Sequence, residues 1–199
     1  MPPTKLLSPW GRGSSDETNG MKTRETSVSP RFTGIPFSSA NLFQGCFMTN
    51  NDILRRLRYA LHLRNTEMTA LFALGGHPLS ETDLDLFLRK EDDPQSVDCP
   101  DVLLAAFLNG LIVSRRGPRE MQPDEELNNN TILRKLRIAL ELKDTDMLRI
   151  LHNAGFTLSK SELSALFRRP DHRNFKVCGD QLLRNFLAGL AQTSQEEIQ

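Results

Sequence analysis

Apolar residues recur at helical spacing along this chain, and the same arrangement occurs twice. Ile53, Leu57, Ala60 and Leu61 fall on one helical face, with Leu54 at its edge, and Ile132–Leu142 repeats the pattern. These positions predict a first helix from about Asp52 to Leu63, with Asn50/Asn51 and Asn129/Asn130 offering side-chain oxygens to the orphan N–H groups at the helix start. A second helix is predicted from near Asn65/Thr66, carrying Met68, Leu71 and Phe72 and closing at Gly75-Gly76. Its counterpart starts near Asp144/Thr145, carries Met147, Ile150 and Leu151, and closes at Gly155. Ser80-Glu81-Thr82-Asp83 and Ser159-Lys160-Ser161-Glu162 read as capping boxes that open a third helix. The pairs Leu79/Leu84 and Leu158/Leu163 form the flanking hydrophobic staples. The fourth helix starts at Asp101 and Asp180. Its wide apolar stripe, Leu103, Leu104, Phe107, Leu108 and Leu111, is matched one for one by Leu182, Leu183, Phe186, Leu187 and Leu190. Gly110 and Gly189 lie inside that helix. Glycine there costs about 1 kcal/mol relative to alanine, so its presence in both copies predicts close helix–helix approach.

The correspondence is a constant offset of 79 between residues 50–112 and 129–191, with 26 identities over 63 positions and no gap. No segment has the alternation of a strand. The expected fold is all-α: two tandem four-helix repeats packed about a pseudo-twofold axis, preceded by a disordered leader. The expected parts are a leader over 1–47, a first repeat over 48–113, a linker over 114–128, a second repeat over 129–192 and a polar tail over 193–199. The leader is rich in Ser, Thr, Pro and Gly and lacks sustained periodicity. Because the periodic signal begins just after Met48, that residue is the expected start, with the leader an extension of the gene model.

Composition narrows the function classes. Of 199 residues, 38% are apolar and 25% charged, ordinary for a globular protein, and no apolar run reaches the roughly 18 residues of a membrane span. Cys46, Cys99 and Cys178 are odd in number and widely spaced, which argues against a disulfide framework and makes a reducing cytoplasm the expected compartment. Net charge is zero but unevenly divided. The first copy has six basic and ten acidic residues, a net of −4; the second has eleven and six, a net of +5. Either surface charge has drifted, or the second copy meets an anionic partner.

The stretches Asn51-Asp52-Ile53-Leu54-Arg55-Arg56-Leu57-Arg58-Tyr59-Ala60-Leu61, Leu79-Ser80 and Phe107-Leu108-Asn109-Gly110-Leu111 carry a family likeness. Over roughly 48–192 the chain resembles the YehS-type bacterial proteins, a tandem domain-of-unknown-function family. The resemblance implies a small cytoplasmic bacterial protein and a start at the position of Met48. It implies no activity.

Polar residues kept in both copies are the candidates for chemistry. Capping is the expected role of Asn50, Asn51, Thr66, Ser80 and Asp101. The arginines Arg55/Arg134, Arg58/Arg137 and Arg89/Arg168, with the neighbouring Arg169, are anion- or nucleic-acid-binding candidates, because a guanidinium fork suits phosphate or carboxylate. The bland alternative is that their stems cover apolar surface and their heads pair with local carboxylates. Helices two and three have the order of a helix-turn-helix, but the connection is long and the first copy places Glu81, Asp83 and Asp85 where phosphates would lie. The second copy suits nucleic acid better, with Lys160, Arg168, Arg169, Arg173 and Lys176. The four histidines show no metal-ligand spacing, and none recurs at the aligned position of the other copy. No metal and no cofactor are expected. Asp92/Asp171 are single acids, and no catalytic constellation is shared, so no enzyme is expected. The expected role is a non-enzymatic interaction or regulatory module that binds another protein, exposing an apolar groove between the repeats. The alternative is nucleic-acid binding through the second repeat.

Overall fold

The computed structural model describes residues 48–118 and 126–196. The expectations for the leader, for most of the linker and for the last residues of the tail lie outside the described residues. Within them the fold is all-helical: α1 (Asn50–Ala60), α2 (Asn65–Leu74), α3 (Glu81–Leu88) and α4 (Asp101–Arg116), then α5 (Asn129–Ala139), α6 (Asp144–Asn153), α7 (Lys160–Leu166) and α8 (Asp180–Glu196).

The helix ends show which local signals were at work. Thr49 and Asn128, not the asparagine pairs, cap α1 and α5: their side chains accept from the backbone N–H of Asp52 (3.2 Å) and Thr131 (3.0 Å). Both helices stop sooner than expected, at Ala60 and Ala139. His62 and Glu141 take left-handed conformations (φ +52° and +54°) that turn the chain back, and Leu63 N–H then donates to the Arg58 carbonyl at 3.0 Å. At α2 and α6 the capping runs the other way. Thr66 contributes no cap; Glu67 and Asp146 reach back to the N–H groups of Arg64 (2.7 Å) and Lys143 (2.9 Å). The Ser-led third helices match expectation, with one difference. Glu162 completes the reciprocal box by accepting from Ser159 N–H at 3.0 Å. Asp83, one methylene shorter, bonds only the Ser80 hydroxyl (2.7 Å).

Within each repeat the second helix crosses the fourth at close range. A Cβ on Gly110 would sit 1.8 Å from the Leu71 carbonyl oxygen, and one on Gly189 would sit 1.8 Å from that of Ile150. In the first repeat the approach is two-sided, because a Cβ on Gly75 would meet the Ala106 carbonyl oxygen at 1.9 Å. Gly110→Ala gains about 1 kcal/mol of helix propensity but forces two backbones apart, and overpacking costs typically 1–3 kcal/mol or more. The expected net is destabilisation, read by thermal denaturation as a Tm lowered by several degrees. An unchanged or raised Tm would show that the crossing has slack.

The repeats are joined reciprocally. The first helix of each packs chiefly on the last helix of the other, α1 on α8 and α5 on α4, the exchange that a pseudo-twofold relation demands. The buried residues of both repeats form one continuous core, with Phe72 and Phe107 tilted against each other at 5.3 Å in the first repeat.

Candidate functional site

Each candidate arginine has a local setting, and the structure does not gather all seven into one site. Arg55 is held from two sides: its guanidinium lies 2.6 Å from Asp52 and donates to the Arg89 backbone carbonyl at 2.5 Å, with Glu91 at 4.0 Å. Arg89 pairs with Asp93 (2.9 Å). Asp93 lies below the usual carboxylate range because it accepts the backbone N–H of Gln95 and faces Arg89. The retained Asp92 is exposed. Arg137 binds the start of α6 through Asp144 (2.7 Å), donates to the Leu142 carbonyl and lies over the Phe167 ring at 4.8 Å. These three arginines act as structural ties. Arg58 is exposed beside His62 in a cleft of about 380 Å³ between α1 and Leu88. Arg134 lines a separate cleft of about 290 Å³ with Asn128, Thr131 and Phe175. Arg168 and Arg169 follow the last residue of α7 and sit in the turn, not on a helix that could enter a groove. That helix is seven residues long and α3 is eight, and Lys176 lies 3.5 Å from Glu162.

The asparagine pairs turn out to be the polar centre of each repeat. Asn51 is buried. Its amide donates to the carbonyls of Phe87 (2.9 Å) and Val97 (2.8 Å), and its oxygen accepts from Cys99 N–H (2.9 Å). Asn130 does the same with Leu166, Lys176 and Cys178. Asn50 and Asn129 bond the carbonyls of Cys99 and Cys178 and the carboxylates of Asp101 and Asp180. These residues staple the loop before the last helix onto the first. Their recurrence in adjacent pairs was the available signal, since a capped helix start needs only one such side chain.

Cys99 and Cys178 sit in that staple, buried, with their thiols pushed up to about 12 by desolvation and by the carboxylates of Asp101 and Asp180. Thiolate is the reactive form, so native protein is expected to react with a disulfide reagent at pH 8 far more slowly at these two positions than after unfolding. Fast labelling of native Cys99 or Cys178, located by peptide mapping, would contradict the packing. Among the described residues no group of three or more His, Cys, Asp or Glu side chains could hold a metal ion, and no helix is long and apolar enough to cross a membrane.

A cleft of about 470 Å³ lies on the seam between the repeats. From α1 it is lined by Asp52, Arg55, Arg56 and Tyr59. From α8 it is lined by Leu187, Ala188, Ala191 and Gln192. A groove between the repeats was expected, but its lining residues were not, because they depend on which helix α1 meets. The 79-residue shift supplies the comparison. At the positions of Ala188 and Ala191, α4 carries Asn109 and Ile112, and Asn109 accepts a hydrogen bond from Lys135, the counterpart of Arg56. Larger side chains therefore occupy the second seam where the first has two alanines.

No solved structure matches the chain. It is 46% identical over 148 residues to a protein named "Uncharacterized protein YehS" from Escherichia coli (strain K12), an alignment covering 72% of this chain and 95% of that one. The family model described as "Protein of unknown function (DUF1456)" matches residues 50–117 and again residues 129–195. The chain therefore belongs to the DUF1456 family and carries its domain in two tandem copies.

Proposed function

We propose that this protein is a non-enzymatic interaction module that binds another protein through the cleft between α1 and α8. The observation that carries this reading is the cleft itself. It has an apolar floor on α8 and an exposed aromatic, Tyr59, on its rim, and it is large enough to take one or two side chains of a docked segment. Asn50, Asn51, Asn129 and Asn130 are engaged in the staples, and Arg55, Arg89 and Arg137 in the ties described above, which supports a structural role for these shared polar groups. A photo-crosslinking amino acid placed at Gln192, on the cleft, is expected to give a discrete protein adduct in cells. The same group at Leu74, exposed and outside the cleft, gives none. Equal adducts at both positions, or none at Gln192, would defeat the proposal.

A second reading, nucleic-acid binding, draws on the turn after α7. There Arg169, His172, Arg173 and Lys176 are all exposed, on the repeat whose net charge is +5. Fluorescence anisotropy against mixed-sequence DNA and RNA separates the two readings. Micromolar binding with a steep negative salt slope, flattened by neutralising Arg168 and Arg169, would favour nucleic acid. An unchanged slope in that variant would remove these residues from it.

A further inference from the structure

The cleft also indicates what kind of segment fits it. We infer that it takes an amphipathic helical segment of a partner protein, with an apolar side chain seated on Ala188 and Ala191 and a carboxylate one turn away on the Arg56 guanidinium. This inference rests on the interaction-module reading and specifies its chemistry. Two basic groups line the cleft from α1, and they are not equivalent. Arg55 already faces Asp52 at 2.6 Å and donates to the Arg89 carbonyl. Arg56 is half-buried and makes no ion pair or hydrogen bond with the described residues. A guanidinium partly withdrawn from water beside an apolar floor gains most from a carboxylate, in charge-assisted and bidentate geometry. The adjoining cleft adds Arg58 from the same helix and His62 from the turn after it and shares Arg55 and Tyr59, so with Arg56 and Arg58 the exposed face of α1 is locally cationic although its repeat carries a net −4. That local sign is the complementarity that selects an acidic partner.

The other seam shows what an occupied version of this place looks like. There Lys135 donates to Asn109, and Ile112 stands where Ala191 leaves room. The chain thus supplies an apolar group and a polar acceptor to its own second seam, the two groups assigned to a partner at the first. One site per molecule follows.

The test uses the full chain, isotopically labelled, and two alanine-based helical peptides. One carries Leu and, four residues on, Glu; the other carries Leu and Gln. NMR titration with the Glu peptide is expected to shift residues 55–59 and 187–192. The Gln peptide and the Arg56→Gln variant should each weaken binding at least tenfold. Arg56→Glu should prefer a Lys peptide. The pair Ala188→Asn with Ala191→Ile gives α8 the side chains of α4 and should abolish binding while the protein stays folded. No shifts, shifts centred on the α4–α5 seam, or equal affinity for both peptides would overturn the inference. So would a concentration-dependent dimer dispersed by Ala191→Ile, which would make a second copy the occupant. A Gln192 crosslink that survives Arg56→Gln would overturn the carboxylate assignment and leave the interaction module standing.

Discussion

Residues 48–118 expressed alone are expected not to fold as a monomer, although they comprise a complete copy of the repeated sequence. The reason is where the helices pack. Inside that segment α1 meets α3 and, over a smaller area, α4, and α2 meets α3 and α4. The broad faces of α1 and α4, however, are covered by α8 and α5 of the other repeat. Removing the second repeat strips both faces at once, from a unit of a size that buries too little surface to spare any. Circular dichroism of the isolated segment should show low helicity, or helicity that rises with concentration as two copies cover each other's faces. Mixing it with residues 126–199 should restore the helicity and Tm of the intact chain, because the reciprocal interfaces form without the linker. A monomeric fragment that unfolds cooperatively by itself would show that each repeat is independently stable and that the exchange of helices is incidental.

That prediction marks the boundary of what could be read from the sequence. The number, order and approximate limits of the eight helices were legible because they depend on local devices: a 3.6-residue apolar period, Ser-led starts and glycine ends, each present twice. Gly110 and Gly189 even disclosed a close crossing before any partner was known. The pairing of α1 with α8 was not legible. An apolar stripe states that a helix is covered but not by what, and Leu57 would be buried equally well by either fourth helix. The role of Asn51 was misread for a related reason. Its three bonds reach groups 36 to 48 residues away, and nothing in its immediate neighbourhood distinguishes it from a cap.

The candidate site was hidden by the same symmetry that exposed the fold. The polar residues kept in both copies include Arg55, Arg89 and Arg137, which hold the structure together. The cleft instead arises where the copies differ. Ala188 stands opposite Asn109, Ala191 opposite Ile112, and Arg56 opposite Lys135, differences that look like drift until α1 and α8 are placed side by side. In a duplicated fold, shared residues report on shared architecture, and the departures from it shape what only one seam has.

Asn51→Ala is expected to be among the most damaging single substitutions in the chain. It leaves the carbonyls of Phe87 and Val97 and the N–H of Cys99 without their partner. An unsatisfied buried polar group costs about 1–3 kcal/mol, so a total of about 4 kcal/mol is expected after some relaxation. That is a large part of a typical domain stability of roughly 5–15 kcal/mol. Asn130→Ala should cost a similar amount, whereas a helix cap would cost only about 1 kcal/mol; urea unfolding of either variant decides between the two roles. Asn51→Asp sharpens the test. The new carboxylate keeps an acceptor for Cys99 N–H but turns an oxygen toward two carbonyl oxygens. Burial and that repulsion both favour its protonated form, which raises its pKa in the folded state above the ordinary value of about 3.9. A group with a raised folded pKa contributes its full share below the unfolded pKa and loses it as pH rises through the folded one. The deficit of Asn51→Asp relative to the parent protein should therefore be greatest near pH 7 and shrink as pH falls toward 5. A deficit of about 1 kcal/mol that does not change with pH would return Asn51 to the role of a cap.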